Sequence, residues 1–363
     1  MAKDSLRKIV SEIFSLADVQ VGGERDQDIT VINSDFYKRV LAKGSLALGE
    51  SYMDGWWRCK KIDQLITNIL TSGLEKRVKT NPKVIFSTIR SRLFNLQKVA
   101  RAYEVAKKHY DIGNALFREM LDKKMVYSCA YWKGAKNLDE AQAAKLDLVC
   151  RKIGLQPGMS VLDIGCGWGS FAEFAAKKYQ VKVTGITVSR EQVKWANAIC
   201  RGLPVEIRLQ DYRCVNETFD RVVSIGMFEH VGFKNYKAYM TVVRNVLNKG
   251  GLFFLQTIGK KERQRTTDPW INRYIFPNGY LPSPREITTA ADGLFILEGW
   301  ENFGADYDKT LMAWYHNFVN GWDRIKHYYD NRFRRMWEYY LLACAGGFRA
   351  RDLQLWQIVF SKN

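Results

Sequence analysis

Ser160 to Ile164 is a short apolar run containing one acidic residue, Asp163; the chain then turns on Gly165, Gly167 and Gly169 before a helical pattern that reaches Tyr179. A run of this length closed by glycines reads as a buried strand feeding a helix. Glycines at such a turn let backbone approach a ligand closely, and the first N–H groups of the following helix point at whatever sits there. An ordinary strand–helix turn has the same letters. Asp163 favours binding, because a carboxylate at the strand's end suits a cationic amine rather than a pyrophosphate.

The same alternation continues downstream. Strands are expected at 160–164, 181–186, 205–209, 220–225 and 252–257, separated by helices at 168–179, 190–200 and 233–248. Two further strands, 295–300 and 353–360, complete seven. This is the pattern of an α/β chain with a doubly wound, Rossmann-like sheet, which binds ligands at the carboxyl ends of its strands. Upstream, the spacing predicts helices at 4–20, 62–74, 102–121 (broken at Gly113) and 138–153, a strand at 29–32 and an aromatic loop at 125–132. Gly44 to Trp57, dense in glycine and aromatics, suits either a small core or an exposed aromatic surface. The expected division is a small, mostly helical N-terminal domain at 1–80, a basic linker at 81–100 and a catalytic domain at 101–363.

With 56 Lys plus Arg against 38 Asp plus Glu, the net charge is +18, which favours an anionic partner. Much of the excess falls between Lys76 and Lys108, interleaved with Val84, Ile85, Phe86, Ile89, Leu93 and Phe94. Such a basic amphipathic segment suits an anionic membrane surface, although a solvated linker has a similar composition. Few aromatics suited to base stacking accompany it, and no RNA-binding module is recognisable, which weighs against nucleic acid. The seven cysteines are scattered, without a C-x-x-C pair, which argues against a disulfide framework and a zinc site and for a cytoplasmic location. No apolar run reaches membrane-spanning length.

Candidate chemistry gathers at four strand ends. Asp163 and the glycine turn follow the first. Thr187 follows the second, at the place where dinucleotide binders carry a ribose-binding acid, with Gln192 a turn into the next helix as a hydroxyl partner. Gln210, Asp211 and Tyr212 follow the third, offering a carboxylate and a ring to adenine. Glu229 and His230, in Gly226–Gly232, follow the fourth; a helix cap and a core histidine are the plainer roles for these two. The aromatic faces Trp314, Tyr315, Phe318, Trp322 and Phe333, Met336, Trp337, Tyr340, Leu341 fit a core or a pocket for a long apolar chain.

The glycine turn resembles the first motif of the S-adenosylmethionine-dependent methyltransferases. Together with Tyr127–Trp132, Gly226–Gly232, Asp268–Gly279, Asn302–Tyr307, Gly347–Asp352 and the N-terminal Gly44–Trp57, it makes nearly the whole chain similar to the cyclopropane-fatty-acyl-phospholipid synthase family. That resemblance implies a seven-stranded methyltransferase fold and an S-adenosylmethionine cofactor. The cofactor would be held by Tyr127, Ser128, Asp163, Gly165, Cys166, Gly167, Thr187, Gln192, Gln210, Asp211 and Tyr212. It further implies a methyl transfer to the cis double bond of an acyl chain in a membrane phospholipid. Loss of a proton from the resulting cation, to a bound bicarbonate, then closes a cyclopropane. Side chains matching Cys129, Glu229 and Tyr307 and a backbone N–H near Ile258 would hold the bicarbonate. A homodimer, peripheral on the inner face of the cytoplasmic membrane, completes the family picture. This chain departs from the pattern at Gln256, where the family carries His, and Gln can donate to an oxyanion but cannot relay a proton. Cys344 matches a cysteine sometimes proposed as nucleophile, although the alkene itself supplies the electrons. A methyltransferase acting on a soluble amine, one acting on RNA, and a non-catalytic lipid-binding protein are the competing expectations.

Overall fold

The computed structural model describes residues 3–74, 77, 113–264 and 267–363. Apart from Arg77, the basic segment from Lys76 to Lys108 lies outside the described residues, as do the 81–100 linker and the expected helix before residue 113. The chain divides into two compact units. One gathers Met1–Glu119, Thr266–Pro277 and Leu311–Asp352; the other gathers Met120–Arg265, Asn278–Thr310 and Leu353–Asn363. The expected domains follow chain order, whereas each unit draws on separated segments.

The first unit is mostly helical. Its opening helix, Lys3–Ser15, stops short of residue 20 because the chain turns at Asp18, φ 52°, and the Val19 N–H bonds back to the Phe14 carbonyl. The expected 29–32 strand shortens to Thr30–Val31 (β1), paired antiparallel with Trp57–Arg58 (β2). Phe36 to Leu41, assigned no element from the sequence, lies in the helix Asp35–Lys43, which ends at Gly44 with φ 54°. Gly44 to Trp57 is core: Leu48, Tyr52, Met53 and Trp57 are buried, and the Trp57 indole donates to the Leu48 carbonyl at 2.9 Å. Buried Glu50 accepts from Arg39, Arg273 and the Tyr274 hydroxyl, tying the helices Asp35–Lys43, Ser45–Met53 and Pro269–Tyr274 together. The two aromatic helix faces also serve as core, with Trp314, Phe318, Trp337, Tyr340 and Leu341 all buried. Each such side chain contributes roughly 1.5–3 kcal/mol on burial.

The second unit holds a seven-stranded sheet of Ser160–Ile164 (β3), Lys182–Thr187 (β4), Val205–Leu209 (β5), Phe219–Ile225 (β6), Leu247–Gly259 (β7), Ile296–Asn302 (β8) and Gln354–Ser361 (β9). Its order is β5-β4-β3-β6-β7-β9-β8. The pairs among β5, β4, β3, β6 and β7 are parallel; β9 runs antiparallel to both β7 and β8. From β3 the chain winds out to β4 and β5, then returns to β6 on the other side of β3. That reversal opens a crevice at the carboxyl ends of β3 and β6. One apolar cluster, with Leu162, Val222 and Phe253, covers one face of the sheet; another, with Val161, Val183 and Phe254, covers the other. The expected 233–248 helix narrows to Tyr236–Val246, because Gly232, φ 77°, and a 3-10 turn at Phe233–Asn235 delay its start. Beyond Val246 the backbone is already extended as β7. Among the described residues no helix is long and apolar enough to cross a membrane.

Candidate active site

The crevice between β3 and β6 collects most of the candidate cofactor residues. Asp163 is buried, its Oδ2 makes no hydrogen bond among the described residues, and burial pushes the carboxyl up to about 7, with Lys145 pulling it back. A bare, buried carboxylate oxygen calls for a cationic donor. Gly165, Gly167 and Gly169 all have positive φ, at 80°, 54° and 86°. A Cβ on Gly165 would lie 2.9 Å from Met227, and one on Gly169 would lie 2.8 Å from the Ala196 side chain. Among the described residues, leaving out its chain neighbours, a Cβ on Gly167 would meet nothing within 4 Å, so the space beside that turn is where a ligand can approach the backbone. Cys166 is buried, its N–H bonded to the Ile186 carbonyl, and the helix Ser170–Tyr179 begins directly behind the turn.

At the end of β4, the Thr187 hydroxyl donates to Gln192 Oε1 at 2.6 Å, and Ser189 caps the helix Arg190–Ile199. Thr187 and Gln192 therefore form one polar pair at the crevice's rim. At the end of β5, Asp211 is engaged by Arg213, whose guanidinium holds its carboxyl below the ordinary range against a smaller burial effect. Gln210 Nε2 donates to the Cys214 carbonyl, and the Tyr212 ring packs edge-on against Tyr239 at 5.0 Å. The Gln210 amide N–H group and both Asp211 oxygens are thus engaged within their own turn, and the Arg213 guanidinium lies 5.7 Å from the Tyr212 ring centre.

Glu229 stands in a 3-10 turn, Phe228–His230, just after β6. Its Oε1 accepts the Ile258 backbone N–H at 2.6 Å, while its buried Oε2 has no hydrogen bond among the described residues. Burial pushes the carboxyl up to about 7, against the pull of the Ile258 N–H. The Ile258 N–H is thus committed to Glu229. His230, next to it, is exposed.

Cys129 is buried, with its Sγ 3.2 Å from the Ala130 carbonyl and 3.8 Å from the Phe303 carbonyl; burial pushes the thiol well up, so it stays protonated. The segment after it is pinned to the start of the helix Gly304–Ile325: Thr310 Oγ1 accepts from the Ala130 N–H and the Trp132 indole, and Asp306 accepts from the Trp132 N–H. Buried Tyr307 lies in that same helical turn. Phe303 N–H donates to the Leu355 carbonyl, and Leu355 is the register partner of Ile258. Cys129, Tyr307, Ile258 and Glu229 are thereby linked to one end of the β7–β9 pair. Cys344 belongs to the other unit, on the helix Asn331–Arg349, where burial and then Asp268 push its thiol up to about 12. A thiol so protonated is a poor nucleophile.

Four residues of this site carry no role in the sequence expectations. On the helix Leu138–Lys152, Gln142 Nε2 donates to the Ser128 carbonyl at 2.8 Å, and Lys145 Nζ donates to the Ser128 hydroxyl at 2.9 Å. They brace the loop carrying half-buried Tyr127 and buried Ser128. Lys145 is fully buried; desolvation lowers it to about 8, with Asp122 and Asp163 among the charges that hold it up. Their signal was available: both sit on the helix's apolar stripe with Leu138, Ala141, Leu146 and Val149. The other two, Lys152 and Gln357, lead to Gln256: Lys152 Nζ donates to Gln357 Oε1 at 2.7 Å, and Gln357 Nε2 donates to Gln256 Oε1 at 3.0 Å.

Residues 97–358 match the family model described as mycolic acid cyclopropane synthetase. The chain is 54% identical over 360 residues to a cyclopropane-fatty-acyl-phospholipid synthase of Escherichia coli strain K12, covering 99% of this chain and 94% of that one. Among solved structures, it is similar to the cyclopropane synthase MmaA2 from Mycobacterium tuberculosis, with a TM-score of 0.67 and 30% identity, covering 74% of this chain and 100% of that one. It is also similar to the mycolic acid cyclopropane synthase CmaA1 complexed with SAH and CTAB, with a TM-score of 0.65 and 33% identity, covering 72% of this chain and 98% of that one.

Proposed function

The chain belongs to the mycolic acid cyclopropane synthetase family, and from that premise we propose that it is a cyclopropane-fatty-acyl-phospholipid synthase. It transfers a methylene from S-adenosylmethionine to the cis double bond of an unsaturated acyl chain in a membrane phospholipid. The observation that carries this is Glu229: a buried carboxylate, fixed by one oxygen and without a hydrogen bond at the other among the described residues, near a glycine turn with space for a cofactor.

S-adenosylmethionine, when bound, supplies an electrophilic methyl group. Asp163 has an oxygen without a hydrogen bond among the described residues to meet its ammonium, and the space beside Gly167 leaves room for it. Thr187 and Gln192 would take ribose hydroxyls, Gln210, Asp211 and Tyr212 would flank the base, and Tyr127 and Ser128, braced by Gln142 and Lys145, would close the site. The alkene's π pair would form the new bond to the methyl carbon as that carbon's bond to the sulfonium sulfur breaks, the sulfur leaving as a neutral thioether and a carbocation remaining on the acyl chain. A proton then leaves the methyl carbon, and the released electron pair closes the ring.

Bicarbonate, when bound, supplies the base for that proton. Glu229 Oε2 would accept its O–H, while the Gln256 amide and the Tyr307 hydroxyl would donate to its oxygens and Cys129 would close the pocket. Burial of Glu229, Cys129 and Tyr307 keeps water from trapping the cation. The net charge of +18 supports peripheral binding to an anionic bilayer at the inner face of the cytoplasmic membrane, and a homodimer would add avidity.

The test is incubation with S-adenosylmethionine and anionic liposomes of cis-unsaturated phospholipid, with acyl products identified by gas chromatography–mass spectrometry and NMR. Cyclopropane ring protons support the proposal. A methyl or methylene branch keeps the lipid substrate and locates the departure at proton removal. Cofactor binding without a lipid product overturns the lipid assignment.

A further inference from the structure

Resting on the proposal that an oxyanion serves as base, we propose that Lys152 and Gln357 are positioning residues. They fix the Gln256 amide so that its Nε2 hydrogens, rather than its carbonyl oxygen, are presented to that anion.

A charged lysine has donors and no acceptor. Burial lowers the Lys152 pKa and Glu301, 2.6 Å away, opposes that shift; the face of the Phe303 ring lies 4.7 Å from Nζ. Its partner in Gln357 must therefore be the amide oxygen, as found at 2.7 Å. With that oxygen committed, Gln357 Nε2 is left to donate, and Gln256 must answer with its own oxygen, as found at 3.0 Å. Turning either amide over would set donor against donor or acceptor against acceptor in a buried place, since Gln256 and Gln357 are both almost fully buried. The row is built into the sheet: Gln256 on β7, Gln357 on β9 and Glu301 on β8 are successive register partners. At the end of the row, Nε2 is the donor that the Gln256 amide has left once its oxygen is committed to Gln357, two positions along the strand from the N–H that holds Glu229. One charge near the surface thus sets the polarity of a neutral donor. Such a donor keeps its protons at any physiological pH.

The experiment uses the full-length protein in CO₂-depleted buffer. Turnover is measured over a bicarbonate titration at saturating S-adenosylmethionine and lipid, and line broadening of ¹³C-bicarbonate reports anion binding without cofactor or lipid. Lys152→Met and Gln357→Met are expected to raise the half-saturating bicarbonate concentration by roughly five- to ten-fold, the scale of one lost oriented hydrogen bond. The KM for S-adenosylmethionine should stay within about two-fold, since the lost bond lies outside the cofactor's contacts. Lys152→Arg, which retains a donor, should restore most of the affinity. In a Gln256→Met background, Lys152→Met should add nothing. An unchanged bicarbonate response in Lys152→Met, or an equal loss in the Gln256→Met background, overturns the positioning role while leaving the base in place. A wild-type protein whose turnover and ¹³C signal ignore bicarbonate overturns the base itself, and the positioning role with it.

Discussion

One oxygen of Glu229 accepts the Ile258 amide N–H at 2.6 Å, and the other is sealed from solvent without a hydrogen bond among the described residues. Burial pushes the carboxyl up to about 7 from its ordinary 4.5, outweighing the Ile258 N–H, its own backbone N–H and the Thr257 hydroxyl, which all pull it down. Accepting the O–H of a base requires the ionised form, so turnover is expected to rise with pH through about 7 and level off above it. Stability moves the other way. A folded pKa above the unfolded one contributes stability that is complete below 4.5 and lost as pH rises through 7. Glu229→Gln should therefore lose roughly 10²-fold or more in turnover. It should also gain stability over wild type above pH 7, by up to about 3 kcal/mol, with no such gain near pH 4.5. Rate profiles and thermal melts across pH check both halves. A variant that loses turnover and also melts earlier at pH 8 would make Glu229 a structural anchor instead.

Lys145→Met tests the buried cation beside the cofactor crevice. Lys145 counters the burial that raises Asp163, so removing it should push the Asp163 carboxyl above about 7. Binding an ammonium needs Asp163 ionised. Cofactor affinity should therefore rise with pH through about 7 in wild type and at a higher pH in the variant, which also loses the bond to Ser128. Titration calorimetry at several pH values measures this, and coincident pH curves for the two proteins would remove Lys145 from the cofactor site.

The sheet was legible because its strands are short apolar runs separated by helical stripes, and its register then brings Asp163, Thr187, Glu229 and Ile258 to one end of it. What the sequence hid was the hydrogen-bonding state of each group. Nothing in the letters Gln-Asp-Tyr shows that Arg213 captures Asp211, since two residues along a turn meet only once φ and ψ are set. Likewise, Gln357 reaches Gln256 through cross-strand register fixed by the antiparallel β9. Lys145 was readable in principle, as a charge on a stripe of Leu and Val, but a lysine in that place is also compatible with a side chain that reaches solvent. The early end of the first helix lay in a left-handed turn at Asp18, a residue that tolerates such a turn without announcing it.

In the helical unit, Gly49 lies against Trp270. A Cβ at residue 49 would fall 2.5 Å from the indole Cδ1 and Nε1, and the ring is held by Tyr339, 4.7 Å away between centroids, and by Met53 at 3.3 Å. With the indole boxed in, Gly49→Ala should destabilise by about 1–3 kcal/mol, the usual range for overpacking. Trimming the ring should relieve the clash, so the double variant Gly49→Ala with Trp270→Leu should be more stable than the sum of the two single losses. Denaturant unfolding of the four proteins decides it; strict additivity would mean the helix shifts to accept the methyl.

Gly167→Ala separates backbone strain from ligand space. At φ 54° an alanine costs roughly 1–2 kcal/mol, because its Cβ crowds the following carbonyl. Beyond its chain neighbours, nothing among the described residues lies within 4 Å of that Cβ, so stability should fall by that strain and little more. Gly165→Ala is different: its Cβ meets Met227 at 2.9 Å, adding a packing loss to the strain. If the open space at Gly167 is the cofactor's, the methyl should cut S-adenosylmethionine affinity by at least ten-fold while the melting temperature drops only by several degrees. Cofactor affinity unchanged in a folded Gly167→Ala protein would mean that the turn faces solvent and that Asp163 binds the cofactor without it.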